Sequence, residues 1–225
     1  MQKLEAGIHH FQANYFASNR RLFEHLAREG QRPDTLFITC SDSRVVPNLI
    51  TNAAPGELFI VRNVGNIVPP VERGVWGGVS AAIEYAVEVL EVSDVIVCGH
   101  TSCGAIGAIL HPERSADLKF VSRWLAASTS VPELIQRRYG HLEGDALTNA
   151  AVQENVLLQL ENLRTFDFIA RRLDAGTLKM SGWVFKIATG DVFAYDPGSE
   201  QFLKLGTGDE ERATLSARNS VPPAT

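Results

Sequence analysis

The chain has 225 residues, of which 45% are hydrophobic and 21% are charged, and its formal net charge at pH 7 is -5. This composition is typical of a globular protein that buries a core, and it excludes a largely disordered chain. An acidic chain without a dense lysine and arginine stripe would repel a phosphate backbone, so we expect no nucleic-acid partner.

The N-terminal segment is predicted to be helical. Its apolar residues between Leu4 and Leu26 recur at intervals of three, four or seven, as they do on one face of an amphipathic helix. Gly30 and Pro33 then end the pattern. We expect residues 1–29 to form a helical arm that packs on a neighbouring subunit.

Three short apolar runs, at 35–39, 58–61 and 94–98, are predicted to be strands buried on both faces. Between the second and third runs, apolar positions within residues 78–90 recur at helical spacing. The order strand, connection, strand, helix, strand implies right-handed crossovers and a mostly parallel central sheet covered by helices. The predicted fold class is therefore α/β.

The C-terminal half is predicted to add two long helices, at 115–139 and 146–173, and an antiparallel edge hairpin formed by 182–187 and 192–195. Residues 1–205 would form a single domain, and the polar stretch 206–225 a disordered tail. No apolar run approaches the ~20 residues that span a bilayer, and the N-terminus lacks a signal-peptide pattern. We expect a cytoplasmic protein without membrane contact.

The three cysteines are too few, and odd in number, for the disulfide framework of a secreted domain. Cys40 follows the first predicted strand, whereas His100 and Cys103 follow the third. The carboxyl ends of parallel strands share one edge of the sheet, so we expect these side chains to converge. Two thiols and an imidazole suit zinc, and three protein ligands leave the fourth position open for catalysis. Cys98 lies inside an apolar strand and is predicted to be a core residue.

Asp42 and Arg44 follow Cys40 at intervals of two residues. In an extended segment their side chains would lie on the same side as that of Cys40. Asp42 could bind the metal itself, or a bidentate ion pair with Arg44 could keep it as a hydrogen-bond acceptor for a water molecule. We expect Arg44 to keep the fourth position open, although without a metal an ordinary structural ion pair would be the better interpretation.

Four motifs occur in order along the chain: CSDSR from Cys40, RNVGN from Arg62, EYAV from Glu84 and CGHTSCGA from Cys98. Together they resemble the β-class carbonic anhydrases, in particular the plant-type branch with its bacterial and cyanobacterial members. The resemblance covers nearly the whole chain.

This resemblance implies one Zn²⁺ per subunit on Cys40, His100 and Cys103, with Asp42 and Arg44 as the catalytic pair beside it. The implied activity is that of a carbonate dehydratase, a zinc lyase. It hydrates carbon dioxide reversibly to bicarbonate and a proton by attack of a zinc-bound hydroxide.

The resemblance also implies a substrate pocket. Gln31 occupies the position of a glutamine that binds substrate across the dimer interface, so we expect a homodimer or a higher homo-oligomer. Phe59, Val64 and Tyr85 match positions that line an apolar pocket for carbon dioxide, and Gly104 matches a glycine whose N–H faces substrate. Without the resemblance, Gln31 would be an ordinary loop residue and the three apolar residues core residues.

Several alternatives stay open at this point. Phe37 stands where the bicarbonate-regulated branch has tryptophan, which argues against that regulation. The carboxysome and cyanate breakdown are two settings that the sequence does not separate. The same fold could serve a hydrolase of carbon disulfide or a non-catalytic zinc-containing scaffold subunit. A redox sensor acting through Cys40 and Cys103 would form a disulfide and hold no stoichiometric zinc.

Overall fold

The computed structural model describes residues 1–71, 77–126 and 130–206. Within them a six-stranded sheet has the order β2-β1-β3-β4-β5-β6. The strands are β1 (Thr35–Cys40), β2 (Leu58–Asn63), β3 (Asp94–His100), β4 (Lys179–Phe185), β5 (Val192–Asp196) and β6 (Gln201–Lys204). The first four pair in parallel, and β5 and β6 continue the sheet antiparallel. The predicted α/β class, mostly parallel with antiparallel C-terminal strands, is confirmed.

Helices surround this sheet. Those of the described residues are α1 (Gln2–Phe11), α2 (Arg20–Glu29), α3 (Pro47–Thr51), α4 (Gly78–Glu84), α5 (Gly104–Leu110), α6 (Lys119–Leu125), α7 (Ser130–Tyr139), α8 (Gly144–Arg164) and α9 (Asp167–Asp174). Short π-helical turns, Gln12–Phe16 and Tyr85–Val89, extend α1 and α4, and a 3-10 turn, Pro112–Ser115, follows α5. None of these helices combines the length and the apolar character that a bilayer crossing requires.

The two long helices predicted from the sequence are each divided. In the first, residues 116–118 separate the 3-10 turn from α6, and residues 127–129, which precede the start of α7 at Ser130, lie outside the described residues. The second ends at Arg164, because Phe166 takes an extended conformation with φ of -81° and ψ of 120°. The ring of Phe166 is buried and packs on that of Phe168, with centroids 5.4 Å apart. Aromatic packing therefore breaks a pattern that periodicity alone would continue.

The predicted antiparallel hairpin is present, and one further strand lies outside it. Its first arm is β4, which lies between β3 and β5, and its second arm is β5. The edge is formed by β6, which was not predicted because it has only four residues and leaves Leu203 half exposed. Apart from Gly206, the predicted tail lies outside the described residues.

The N-terminal arm leaves its apolar face uncovered in the single chain. Leu4, Ile8 and Tyr15 are exposed, and α1 buries none of its side chains. Leu26 of α2 packs closely on the turn at Gly56, where an added Cβ would lie 2.8 Å from Leu26 Cδ2. An uncovered apolar face suits packing on a neighbouring subunit, which stays a prediction.

Helix α8 packs closely on the middle of the sheet. Gly99 of β3 faces this helix, and an added Cβ there would lie 2.8 Å from Val156 Cγ2 and 3.0 Å from Val152 Cγ1. Both valines are buried, and β-branched side chains have little freedom to move aside in a helix. The absence of a side chain at Gly99 therefore allows α8 its close approach to the strand that ends at His100.

Replacing Gly99 with alanine should lower the free energy of unfolding by about 1–3 kcal/mol, because the added methyl group overpacks this contact. Urea unfolding followed by circular dichroism measures the change. Gly7→Ala is the control, since an added Cβ at Gly7 meets nothing within 4 Å and that variant should be at least as stable as the wild type. Equal stability of Gly99→Ala and the wild type would contradict the close packing.

Candidate metal centre

The predicted ligands lie at the carboxyl edge of the parallel strands. Cys40 is the last residue of β1 and His100 the last of β3, and these strands are neighbours in the sheet. Cys103 directly precedes α5. Because β2 lies on one side of β1 and β3 on the other, the connections diverge at β1 and leave a crevice there, as in other open α/β sheets.

The three side chains converge in a buried cluster. Their ligand atoms all lie within 4.8 Å of one another, and the two sulfurs are 4.0 Å apart. Cys40, His100 and Cys103 are respectively 5%, 0% and 3% exposed. The predicted convergence is confirmed.

His100 shows that the cluster fits a metal ion. Its Nδ1 lies 2.9 Å from the carbonyl oxygen of Thr101, which favours the tautomer with the proton on Nδ1. The other nitrogen, Nε2, is buried and has no hydrogen bond within the described residues. A buried imidazole nitrogen without a partner is costly unless its lone pair binds a metal. Two thiols and this lone pair form the donor set of a catalytic zinc site.

The two sulfurs influence each other's ionisation. The hydrogen bond from Cys103 is the main cause that holds the pKa of Cys40 below its ordinary value, and the backbone N–H of Gly65, 3.4 Å from Cys40 Sγ, acts in the same direction. The same pairing raises the pKa of Cys103. The lowered pKa favours the thiolate of Cys40, which is the form that binds metals. Burial raises the pKa of Cys98 to about 12, which keeps that thiol neutral in the core, as predicted.

Asp42 and Arg44 form the predicted bidentate pair. Arg44 Nε donates to Asp42 Oδ1 at 2.9 Å and Arg44 Nη2 to Asp42 Oδ2 at 2.8 Å. These hydrogen bonds hold the pKa of Asp42 well below its ordinary range, so the side chain is a carboxylate. Asp42 Oδ2 lies 3.8 Å from His100 Nε2, which places the carboxylate beside the cluster.

The backbone around this pair differs from the prediction. The segment after Cys40 is not extended: the N–H of Val45 donates to the carbonyl of Asp42 at 3.0 Å, which closes a turn. The N–H of Arg44 also donates to Asp42 Oδ1 at 3.0 Å. The ion pair therefore forms inside a turn, and the extended conformation predicted for this segment is wrong. Arg44 Nη2 donates further to the carbonyl of Ser102 at 3.1 Å, which joins the two ligand segments.

Arg62 supports the same region and was not predicted to do so. Its Nε donates to the carbonyl of Cys40 at 3.1 Å and its Nη2 to that of Asp42 at 2.7 Å. Arg62 is the first residue of the RNVGN motif, which is one of the four motifs of the resemblance, but the sequence predicts no role for it. A side chain from β2 thus fixes the backbone that leads from one ligand to the carboxylate.

The predicted pocket residues lie in two places within the single chain. Val64 directly follows β2 and precedes Gly65, whose N–H contacts Cys40 Sγ. Phe59 pairs with Leu36, whereas Cys40 pairs with Asn63. Phe59 is therefore four residues, or about 13 Å, back along the strands from the metal cluster.

Tyr85 lies with Phe59 and not with the cluster, since the centroids of their rings are 6.0 Å apart. Tyr85 is 44% exposed. Gln31 is exposed in the loop before β1, at the end of the sheet away from Cys40. Gly104 starts α5, directly after the ligand Cys103. Of the five predicted substrate residues, the single chain therefore brings Val64 and Gly104 to the metal cluster.

Comparison with known proteins agrees with this geometry. The family model for carbonic anhydrase matches residues 35–192. The carbonic anhydrase of Synechocystis sp. is 47% identical over 204 residues, which cover 90% of this chain and 74% of that protein. The solved structure of the β-carbonic anhydrase CcaA is 45% identical, covers 91% of this chain and 98% of its own, and gives a TM-score of 0.88.

A solved structure of the tetrameric β-carbonic anhydrases from the filamentous ascomycete Sordaria macrospora is 25% identical. It covers 91% of this chain and 96% of its own, with a TM-score of 0.73. The resemblance predicted from the four motifs is confirmed over most of the chain. With the matching fold and the cluster of two cysteines and one histidine, it follows that the chain belongs to the β-carbonic anhydrase family.

Proposed function

We propose that this protein catalyses the reversible hydration of carbon dioxide to bicarbonate and a proton, with one zinc ion per subunit. The observation that carries this proposal is the buried cluster of Cys40, His100 and Cys103, with an unpartnered imidazole nitrogen, in a chain of this family. Zinc held by these residues would act as a Lewis acid and would lower the pKa of a water molecule so that it could act as a nucleophile.

Asp42 orients the attacking water molecule. Its carboxylate is ionised and lies beside His100 Nε2, where it can accept a hydrogen bond and direct an oxygen lone pair towards the substrate. Arg44 donates one hydrogen bond to each carboxylate oxygen of Asp42. These hydrogen bonds would hold Asp42 back from the metal and leave a ligand position to the water molecule.

Substrate binding needs an apolar surface near this position and a donor for the anionic product. Val64 supplies part of the apolar surface from the same chain, and Gly104 supplies a backbone N–H directly beside a metal ligand. The proton released in the reaction passes to solvent or buffer, since no described histidine other than His100 lies in the cluster.

We further infer that a second copy of the chain completes the pocket with Gln31, Phe59 and Tyr85. Three observations support this arrangement. The strand register puts Phe59 about 13 Å from the cluster of its own chain. Tyr85 and the apolar face of α1 are exposed in the single chain. A solved relative is described as tetrameric.

Mixed oligomers test whether the pocket is shared. Cys103→Ala removes a metal ligand and Gln31→Ala removes the predicted partner residue, so each variant alone should have little activity. When the two are unfolded and refolded together, hybrid dimers should carry one intact site of two, and activity should return to about a quarter of the wild-type value. The measurement is carbon dioxide hydration after mixing. Refolding either variant with itself is the control, and no recovery would overturn the shared pocket.

Stopped-flow hydration of carbon dioxide at pH 8 to 9, on protein with measured zinc, tests the main proposal. Rapid hydration with one zinc per chain is the expected result. Stoichiometric zinc without turnover would instead favour the scaffold subunit, and a disulfide without zinc would favour the redox sensor. Carbon disulfide offered in the same assay separates the hydrolase alternative. A cytoplasmic location, and a carboxysomal or cyanate-related setting, stay predictions.

A further inference from the structure

One peptide unit, between Val64 and Gly65, connects helix α6 to the metal centre. The indole Nε1 of Trp124 donates to the carbonyl oxygen of Val64 at 2.7 Å. The N–H of Gly65, at the opposite end of the same planar unit, lies 3.4 Å from Cys40 Sγ. Trp124 therefore bonds to one end of a peptide group whose other end contacts the sulfur of Cys40.

The two hydrogen bonds of this unit depend on each other. A donor at the carbonyl oxygen fixes the plane of the peptide, and so fixes the direction in which its N–H points. It also polarises the amide, and hydrogen bonds in such chains strengthen one another. The hydrogen bond that reaches the sulfur of Cys40 is therefore set partly at Trp124.

The neighbouring backbone leaves this peptide little other freedom. The carbonyl of Gly65 accepts a hydrogen bond from Asn155 Nδ2 of α8 at 3.1 Å. Gly65 has φ of +82°, and an added Cβ would lie 3.1 Å from Ala105 Cβ, so the position requires glycine. Farther along, Gln159 accepts from the N–H of Val68 at 2.8 Å. Residues 64–68 are therefore held by hydrogen bonds with α8 at Gly65 and Val68, and by the hydrogen bond from Trp124 at Val64.

We infer that Trp124 is a positioning residue for the metal centre, which acts by directing the Gly65 N–H at the sulfur of Cys40. This inference rests on the proposed function, because it takes Cys40 as a metal ligand. A hydrogen bond to a thiolate withdraws charge from the sulfur and lowers the energy of its lone pair. Loss of the indole N–H should therefore leave a more electron-rich sulfur on the metal.

Cobalt-substituted protein provides a readout that does not depend on turnover. The near-ultraviolet absorption of a cobalt–thiolate bond comes from charge transfer from sulfur to metal, and it moves to longer wavelength when the sulfur becomes richer in electrons. Trp124→Phe keeps an aromatic ring but has no N–H, so we expect its band at longer wavelength than in the wild type. Trp183→Phe is the matched control: Trp183 packs on Phe37 in the sheet, and its loss should leave the band unchanged.

Trp124→His separates the hydrogen bond from packing. The Nε2 of histidine has the same ring position relative to Cβ as the indole Nε1, and above pH 8 an imidazole with a pKa of about 6.5 is neutral and can donate from that atom. Histidine is smaller than phenylalanine, so a role in packing alone predicts a larger disturbance in Trp124→His. The hydrogen-bond role predicts the reverse, with the band of Trp124→His close to that of the wild type.

The possible outcomes are distinct. A shift in Trp124→Phe that Trp124→His reverses supports the inference. An unshifted band in Trp124→Phe, or equal shifts in the two variants, overturns it. Wild-type protein that binds cobalt without a thiolate band would instead refute the metal site itself, and with it the proposed function. Circular dichroism and thermal unfolding of each variant show that the compared proteins are folded.

Discussion

Replacing Cys103 with alanine should remove stoichiometric zinc and lower the rate of carbon dioxide hydration by roughly a thousandfold or more. The cluster consists of three ligand atoms within 4.8 Å of one another, and this change leaves only Cys40 and His100. Two ligands hold zinc far more weakly than three, and without the metal no group in the described site can activate water near neutral pH. Metal analysis after dialysis and stopped-flow hydration measure the two effects.

Cys98→Ala is the matched control for this experiment. Cys98 is also a buried thiol and lies on β3, two residues before His100. Its neutral state and its position in the core keep it away from the metal. The Cys98→Ala protein should bind one zinc per chain and retain its activity, with a modest loss of stability from the small cavity. Zinc loss in Cys98→Ala, or retained turnover in Cys103→Ala, would contradict the assignment.

Replacing Arg44 with alanine should lower hydration by about 10- to 100-fold while one zinc per chain remains bound. Arg44 donates two side-chain hydrogen bonds to the carboxylate of Asp42. Once these are lost, the pKa of Asp42 rises towards its ordinary value, but the group is still a carboxylate at neutral pH. A free carboxylate 3.8 Å from His100 Nε2 is placed to become the fourth ligand and to exclude water.

Two further variants help to interpret the effect of Arg44→Ala on activity. Arg44→Lys keeps the positive charge but cannot bind both oxygens in a fork, so its activity should lie between those of the wild type and Arg44→Ala. Arg164→Ala removes an exposed arginine that pairs with Glu161 on the surface of α8, and it should behave as the wild type. Full activity of Arg44→Ala would refute the role of Arg44. Loss of zinc together with activity would show that the arginine holds the site together instead.

The metal ligands could be predicted from the sequence because their positions follow from strand topology. Apolar runs that end at Cys40 and at His100 read as buried parallel strands, and the carboxyl ends of such strands share one edge. Ligands at the ends of such strands can therefore be predicted without knowing how the side chains pack. Helix ends and short strands do depend on packing, which is why the break at Phe166 and the strand β6 were missed.

The contacts around the ligands were harder to predict. The sequence predicts the pairing of Asp42 with Arg44 correctly, but the extended backbone predicted for it is wrong. Side chains alternate between two sides only in extended segments, and this segment turns at Asp42. Arg62 and Trp124 bond to backbone carbonyls, and nothing in residue spacing marks such contacts. The resemblance identifies the pocket residues but not their positions relative to the metal cluster. The pairing of Phe59 with Leu36 shows that Phe59 lies away from the cluster of its own chain.

The sheet determines the spacing between two of the three predicted metal ligands. Cys40 and His100 end neighbouring strands in which Thr39 pairs with Cys98, so an interstrand spacing of about 4.8 Å and an offset of one residue along the strand set the separation of their backbones. Cys103 follows Ser102, whose φ of +56° belongs to a turn outside the sheet. Of the three ligands, Cys103 alone has a backbone that can be moved without disturbing strand pairing. Thr101 donates its N–H to the carbonyl of Phe185 in β4, so an attempt to change which metal ion the protein prefers should alter Ser102 and Cys103 and leave the strands as they are.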